Sequence, residues 1–332
     1  MKTFWTIVLG LFLLVGCNNS DDDPMGNWVR KSDFEGMPRG SAVSFVIGDK
    51  AYVGLGYNDD DDTNDGYMKD FWVYSSSTDR WDRIADFPGN GRVAAVGFAV
   101  NGKGYVGTGY DGDNKLKDFW EYDPTTNTWT QKDNFLGNAR YKAVGFSINN
   151  YGYIGTGYGD DSVDKIDFYR FDPTAAAGSQ WIKVQSIGGQ KRRGATAFTY
   201  NNKAYVCTGI NNGVTLTDIW EYDGTADTWT KKTDLDDDDD WTIIRQNASS
   251  FVLDGKAYVC LGENSSTLGS CWQYNFTKDT WTEMSDFEGS ARTSAAAFTV
   301  GEKAIVATGQ TGSYYLDDVW EFRPYEESDT DD

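Results

Sequence analysis

Six arginines, Arg39, Arg92, Arg140, Arg192, Arg245 and Arg292, each stand 17 residues before a glycine that ends a short apolar segment, and they are half of the chain's 12. A guanidinium offers five N–H donors in a planar fork, which suits carboxylates, sulfates and sugar acids. The six are therefore candidate ligand contacts. The competing use is internal. Asp70, Asp118, Asp167, Asp218 and Asp318 recur at one place later in five of the same segments, and an arginine withdrawn from water needs such a partner whether or not a ligand binds. Tyr57, Tyr110 and Tyr158 follow the glycine in the first three segments, whereas Ile210, Glu263 and Gln310 follow it in the last three. Aromatic rings beside planar donors suit a carbohydrate or a peptide, and Glu263 is the one carboxylate at that position for proton transfer. Trp241 is a further candidate contact. It follows the insertion Asp236–Asp240, which widens the Trp-to-Arg interval from 11 to 16 residues in one segment only.

The composition removes other chemistries. The chain of 332 residues has no histidine, which excludes Ser-His-Asp and Cys-His catalysis and every histidine-ligated zinc, copper or haem. A formal charge of −21 leaves no phosphate-seeking surface, so nucleic acid is not an expected partner. No cofactor is implied. Calcium is the one ion with suitable donors, at Asp59, Asp61 and Asp65 in the loop Asn58–Gly66, although that loop lacks the spaced ligands of an EF-hand and acidic runs are commonly just solvated. Cys207, Cys260 and Cys271 replace small or apolar residues and are expected as buried, unpaired thiols.

Repeated elements must position these residues. The segment Gly104–Gly109 recurs at 51–56, 152–157, 204–209, 257–262 and 304–309, each time behind a two-residue turn such as Asn101-Gly102 or Asp254-Gly255. Such dipeptides favour the φ > 0 turns that close β-hairpins. A third strand of paired aromatics follows each (Phe119-Trp-Glu-Tyr122), and then a tryptophan opens a fourth (Trp81, Trp129, Trp181, Trp229, Trp281). Four short strands per ~50 residues is the period of a propeller blade. The last repeat lacks its fourth strand, but Trp28–Phe34 matches Trp81–Phe87. The expected fold is all-β: a six-bladed β-propeller of four-stranded blades, its last blade closed by the N-terminal strand.

The Tyr122–Trp129 turn, the Thr-Gly or Leu-Gly endings, the arginines and the paired aromatics resemble kelch repeats across about residues 28–322, with the family's Gly-Gly doublet altered. The resemblance implies a kelch-like propeller with the arginines at the mouth of its central channel, where some kelch receptors grip acidic ligands. Kelch propellers include binding proteins, scaffolds and enzymes, so fold alone does not choose. Galactose-oxidase-type copper chemistry needs imidazole and is excluded. A sialic-acid mutarotase-like carbohydrate enzyme remains the alternative, and a purely structural surface protein the second. The expected role is a non-catalytic binding or assembly module for a protein, peptide or glycan, working as a monomer.

The N-terminus reads as an address. Phe4–Gly16 is apolar, too short to span a bilayer and right for a signal-peptide core. Leu14-Val15-Gly16-Cys17 resembles a bacterial lipobox, and the acidic run after Cys17 resembles the surface-export signal of Bacteroidetes lipoproteins. The expected organisation is a signal peptide (1–16), a lipidated Cys17 on a flexible acidic tether (17–27), a propeller (28–323) and an acidic tail (324–332). That organisation implies an outer-membrane lipoprotein, and the acidic run after Cys17 reads either as the signal that exposes it at the cell surface or as a plain solvated spacer.

Overall fold

The computed structural model describes residues 24–62, 64–237 and 241–329. Cys17 and the segment expected as a signal peptide lie outside them. Six four-stranded antiparallel sheets form, one per repeat. Blade I holds Val43–Ile47, Lys50–Gly54, Phe71–Ser75 and Arg80–Arg83. Its first hairpin pairs Val43 with Gly54 and Ile47 with Lys50. In blade II the equivalent turn has φ of 52° at Asn101 and 76° at Gly102, the left-handed pair that a tight hairpin requires. The first strands of blades II to VI are Val96–Val100, Val144–Ile148, Thr196–Tyr200, Ser249–Leu253 and Ala296–Val300. These innermost strands pack on one another around a central channel of about 280 Å³ lined by small residues.

Closure is as the repeats imply. Asn27–Arg30 forms the outer strand of blade VI, with Trp28 opposite Phe322 on Val319–Arg323. First and last repeats thus share one sheet, and its edge strand is paired. The core is six wedges of aromatic and aliphatic side chains between neighbouring blades. Between blades I and II, Phe45, Tyr52, Phe71, Phe87 and Tyr122 are buried, with Trp129 packed against them. Each fully buried side chain of this size contributes about 1.5–3 kcal/mol. The fourth-strand tryptophans also bind neighbours directly: the indoles of Trp129, Trp181 and Trp229 donate to the carbonyls of Ala85, Asp133 and Gln185, all at 3.0 Å.

Two expectations change. Cys260 and Cys271 face each other across the second and third strands of blade V and form a disulfide, so among the described residues only Cys207 is a buried free thiol. The hairpin register brings the pair together. The inner end of the expected tether is also fixed, because Met25 O accepts from Ser285 N at 3.0 Å and Gly26 N donates to Glu326 O at 2.9 Å. Among the described residues no helix is long and apolar enough to cross a membrane.

Candidate functional site: the mouth face

All six arginines are fully buried. Each Nε donates to the carbonyl two residues earlier, at 2.9–3.3 Å. Each Nη1 donates to the residue before the second-strand glycine (Leu55, Thr108, Thr156, Thr208, Leu261 or Thr308) at 2.9–3.2 Å. Five also bond the recurrent aspartates: Arg39–Asp70, Arg92–Asp118, Arg140–Asp167, Arg192–Asp218 and Arg292–Asp318, at 2.5–2.8 Å for the shorter contact. The same carboxylates accept from Trp72, Trp120, Trp220 and Trp320, or from the Tyr169 hydroxyl. Burial alone would raise these carboxyls. The guanidinium bonds and charge override it and hold all five below the usual carboxylate range.

The ligand-facing role of the arginines is therefore corrected. Their guanidiniums are enclosed and hydrogen-bonded within the blades, so a ligand in the channel cannot touch them. Blade V departs from the pattern: Ser270 stands where the aspartate should be, and Arg245 bonds its Oγ and carbonyl instead. Burial without a carboxylate lowers the Arg245 pKa to about 10.

The altered glycine doublet also finds its reason. The residue before each second-strand glycine has φ of 58–63°: Leu55, Thr108, Thr156, Thr208, Leu261 and Thr308. Glycine occupies that left-handed region without cost, whereas branched side chains pay about 1–3 kcal/mol. Here the arginine Nη1 holds each strained carbonyl in place.

Two residues beyond each arginine lies a second ring. Ser41, Ala94, Lys142, Gly194, Asn247 and Ser294 all have φ between 49° and 61°. The amide of each donates to the carbonyl of the equivalent residue in an adjacent blade at 2.8–3.2 Å, which closes a circle of hydrogen bonds around the channel mouth. Lys142 carries the only charge in this circle. Among the described residues its ammonium makes no hydrogen bond or ion pair. Burial lowers its pKa, the charge of Glu263 opposes that shift, and Arg193 adds to it. Glu263 itself accepts from Asn247 Nδ2 at 2.7 Å.

Outside the circle, each loop folds into a small ribbon that brings three positions onto the mouth face: the residue after the arginine, the residue after the glycine, and one on the returning strand. Blade I supplies Gly40, Tyr57 and Tyr67; blade II supplies Val93, Tyr110 and Lys115; blade III supplies Tyr141, Tyr158 and Asp164. The rings connect. Tyr315–Tyr57, Tyr57–Tyr67, Tyr67–Tyr110, Tyr110–Tyr141 and Tyr141–Tyr158 have centroids 4.9–6.4 Å apart. All six rings are half-buried. Arg193 and Lys115 lie over the last ring at 4.9 and 4.5 Å, and Arg193 is held by buried Asp164 at 2.7 Å. Tyr110, Tyr141 and Tyr158 line a cleft of about 590 Å³ between blades II and III.

The structure thus unites Tyr57, Tyr110 and Tyr158 with Tyr67, Tyr141 and Tyr315, which no repeat position had marked. Glu263 lies on the same face, across the mouth from them. The Asp236–Asp240 insertion opens a two-residue hairpin, Asp236–Asp237 against Trp241–Thr242, while the Trp241 side chain lies outside the described part. Asp59 and Asp65 are exposed and Asp61 is half-buried. Among the described residues no three His, Cys, Asp or Glu side chains gather as a metal site would.

The six-bladed propeller, with arginine–aspartate clasps in five of its blades, carries the Kelch motif at residues 95–134, 191–235 and 244–288. It resembles the solved structure of YjhT with a TM-score of 0.72 at 16% identity, over 87% of this chain and 95% of that one. It is also 32% identical over 83 residues to N-acetylneuraminate epimerase of Yersinia enterocolitica serotype O:8 / biotype 1B (strain NCTC 13174 / 8081). That stretch covers 24% of this chain and only 21% of the relative.

Proposed function

We propose that this propeller is a binding module held at the outer membrane, taking a glycan or a peptide on the aromatic part of its mouth face. The tyrosine chain carries the reading. Six half-buried rings on one side of a face, with charged groups at its end, exceed what blade packing requires, because blades IV and V close equally well without them. The apolar run ending at Cys17 supports the anchor; a Cys17→Ser chain should move from the membrane to the soluble fraction. The binding test is an equilibrium screen of the full chain against glycans and acidic and neutral peptides, with Tyr57→Ala and Tyr110→Ala as variants. A ligand whose affinity both substitutions reduce supports the module. Ligands indifferent to both would remove it.

A carbohydrate-active enzyme is the second reading. The local match to an epimerase favours it, as does Lys142, an ammonium with lowered pKa near a carboxylate. The test is anomer exchange of N-acetylneuraminate followed by NMR. Exchange no faster with protein than without would end this reading.

A further inference from the structure

We propose that the cleft between blades II and III binds an uncharged, hydroxyl-rich ring of the pyranoside class. This rests on the reading of the mouth face as a binding surface and names a subsite and ligand class for it. The cleft's volume, about 590 Å³, falls within the ~300–1,000 Å³ range of small-molecule sites. Its walls differ in kind. Tyr110 and Tyr141 present rings 5.6 Å apart at 37°, and Tyr158 stands edge-on to Tyr141 at 5.9 Å and 88°. The C–H face of a pyranose buries its apolar surface on such rings. The rim is polar: Asp113, Asn114 and Asp160 are exposed. Among the described residues the side chains of Asp113 and Asn114 make no hydrogen bond, and Asp160 accepts only from Asn138 Nδ2, at 2.9 Å. Carboxylate oxygens with open lone pairs are acceptors for adjacent hydroxyls.

Charge selects among ring-shaped ligands. Two lining carboxylates against one lining lysine, with Arg193 offset by its partner Asp164, make the cleft net negative, inside a chain of −21, so an anionic sugar is repelled. An organic cation must compete with Lys115, whose ammonium already sits 4.5 Å over Tyr158. A neutral polyol meets neither obstacle. The site is also set before a ligand arrives. The Tyr110 hydroxyl donates to Gly112 O, Tyr141 pairs in register with Tyr158, and Arg193 braces Tyr158. Fixed rings reduce the ordering cost of binding.

The test is titration calorimetry of the full chain with methyl glucoside, methyl galactoside and methyl mannoside, beside methyl glucuronide and choline. The proposal expects one neutral glycoside to bind, about tenfold more weakly in Tyr141→Ala and severalfold more weakly in Asp113→Asn and Asp160→Asn. Ile182→Ala, on the exposed outer strand of blade III away from the mouth face, should leave its affinity unchanged. The two exposed carboxylate variants keep the test valid should Tyr141→Ala fold poorly. No neutral glycoside binding, tighter glucuronide or choline than glucoside, or indifference to all three cleft variants would each overturn the proposal. A glycan or peptide then weakened by Tyr57→Ala or Tyr315→Ala would preserve the binding-module reading while sinking the cleft assignment.

Discussion

Arg140 and Tyr141 are neighbours in the chain, yet one is closed off from solvent on every side while the other forms part of the mouth face. The arginine repeats in all six blades with the same carbonyl contacts. The tyrosine has counterparts Gly40, Val93, Arg193, Gln246 and Thr293, which share no chemistry. The buried layer is periodic because every blade must solve the same problem: holding a left-handed residue and joining it to the third strand. The rim is aperiodic because the ring of blades asks nothing of it. Aromatics collect in blades VI, I, II and III and are absent from the mouth positions of blades IV and V. In a repeat protein, departure from the period separates what a ligand could use from what the fold needs.

Substitution can break this division. Arg140→Ala strands Asp167 half-enclosed and frees the Thr156 carbonyl, and should cost about 3–5 kcal/mol, as loss of one partner from a buried pair does. Urea unfolding measures it. A loss under about 1 kcal/mol with binding abolished would return the arginines to the ligand.

Acid acts on the same layer. Asp70, Asp118, Asp167, Asp218 and Asp318 have folded pKa values below their unfolded ones. The folded state therefore binds fewer protons than the unfolded state. Their stabilisation is present above the unfolded value, roughly pH 4, and is lost as pH falls through the folded values. The melting temperature should drop steeply below about pH 4, and Asp118→Asn should flatten part of that slope. An unchanged slope would mean that the clasps contribute little.

Blade V offers the reverse experiment. Ser270→Asp restores the missing counter-ion of Arg245 and should stabilise the chain by about 1 kcal/mol in urea, the order of a charge-assisted bond net of desolvation. Destabilisation would show that the pocket beside the Cys260–Cys271 pair cannot admit a carboxylate. Thr308→Gly should add about 1 kcal/mol or slightly less, since it relieves a left-handed backbone and removes a buried hydroxyl without a partner. At the other extreme, Tyr315→Ala at the end of the aromatic chain should change stability by less than about 1 kcal/mol. A larger loss would assign the rim to the fold after all.

Much of this was legible along the chain, for local reasons. Turn dipeptides, strand aromatics and the ~50-residue period are short-range signals, so the blade count and the Trp28 closure follow from the order of residues alone. The Arg–Asp pairing was legible too, because each arginine keeps a constant offset of 17 from the second-strand glycine and each aspartate directly precedes the third strand. Tertiary structure alone decided the rest. It chose between two uses of the arginine by burying the guanidinium. It set Ser41, Ala94, Lys142, Gly194, Asn247 and Ser294 in one hydrogen-bonded circle, although their side chains share nothing. It brought Tyr67, Tyr141 and Tyr315 beside Tyr57, Tyr110 and Tyr158. The returning strands come back after loops of unequal length, 10 residues from Tyr57 to Tyr67 but five from Gln310 to Tyr315. A fixed offset therefore cannot find Tyr67 and Tyr315, whereas Tyr141 holds the constant place after its arginine. Composition and period are properties of one strand of chain, whereas a face is shared by six loops, and only closing the ring puts them side by side.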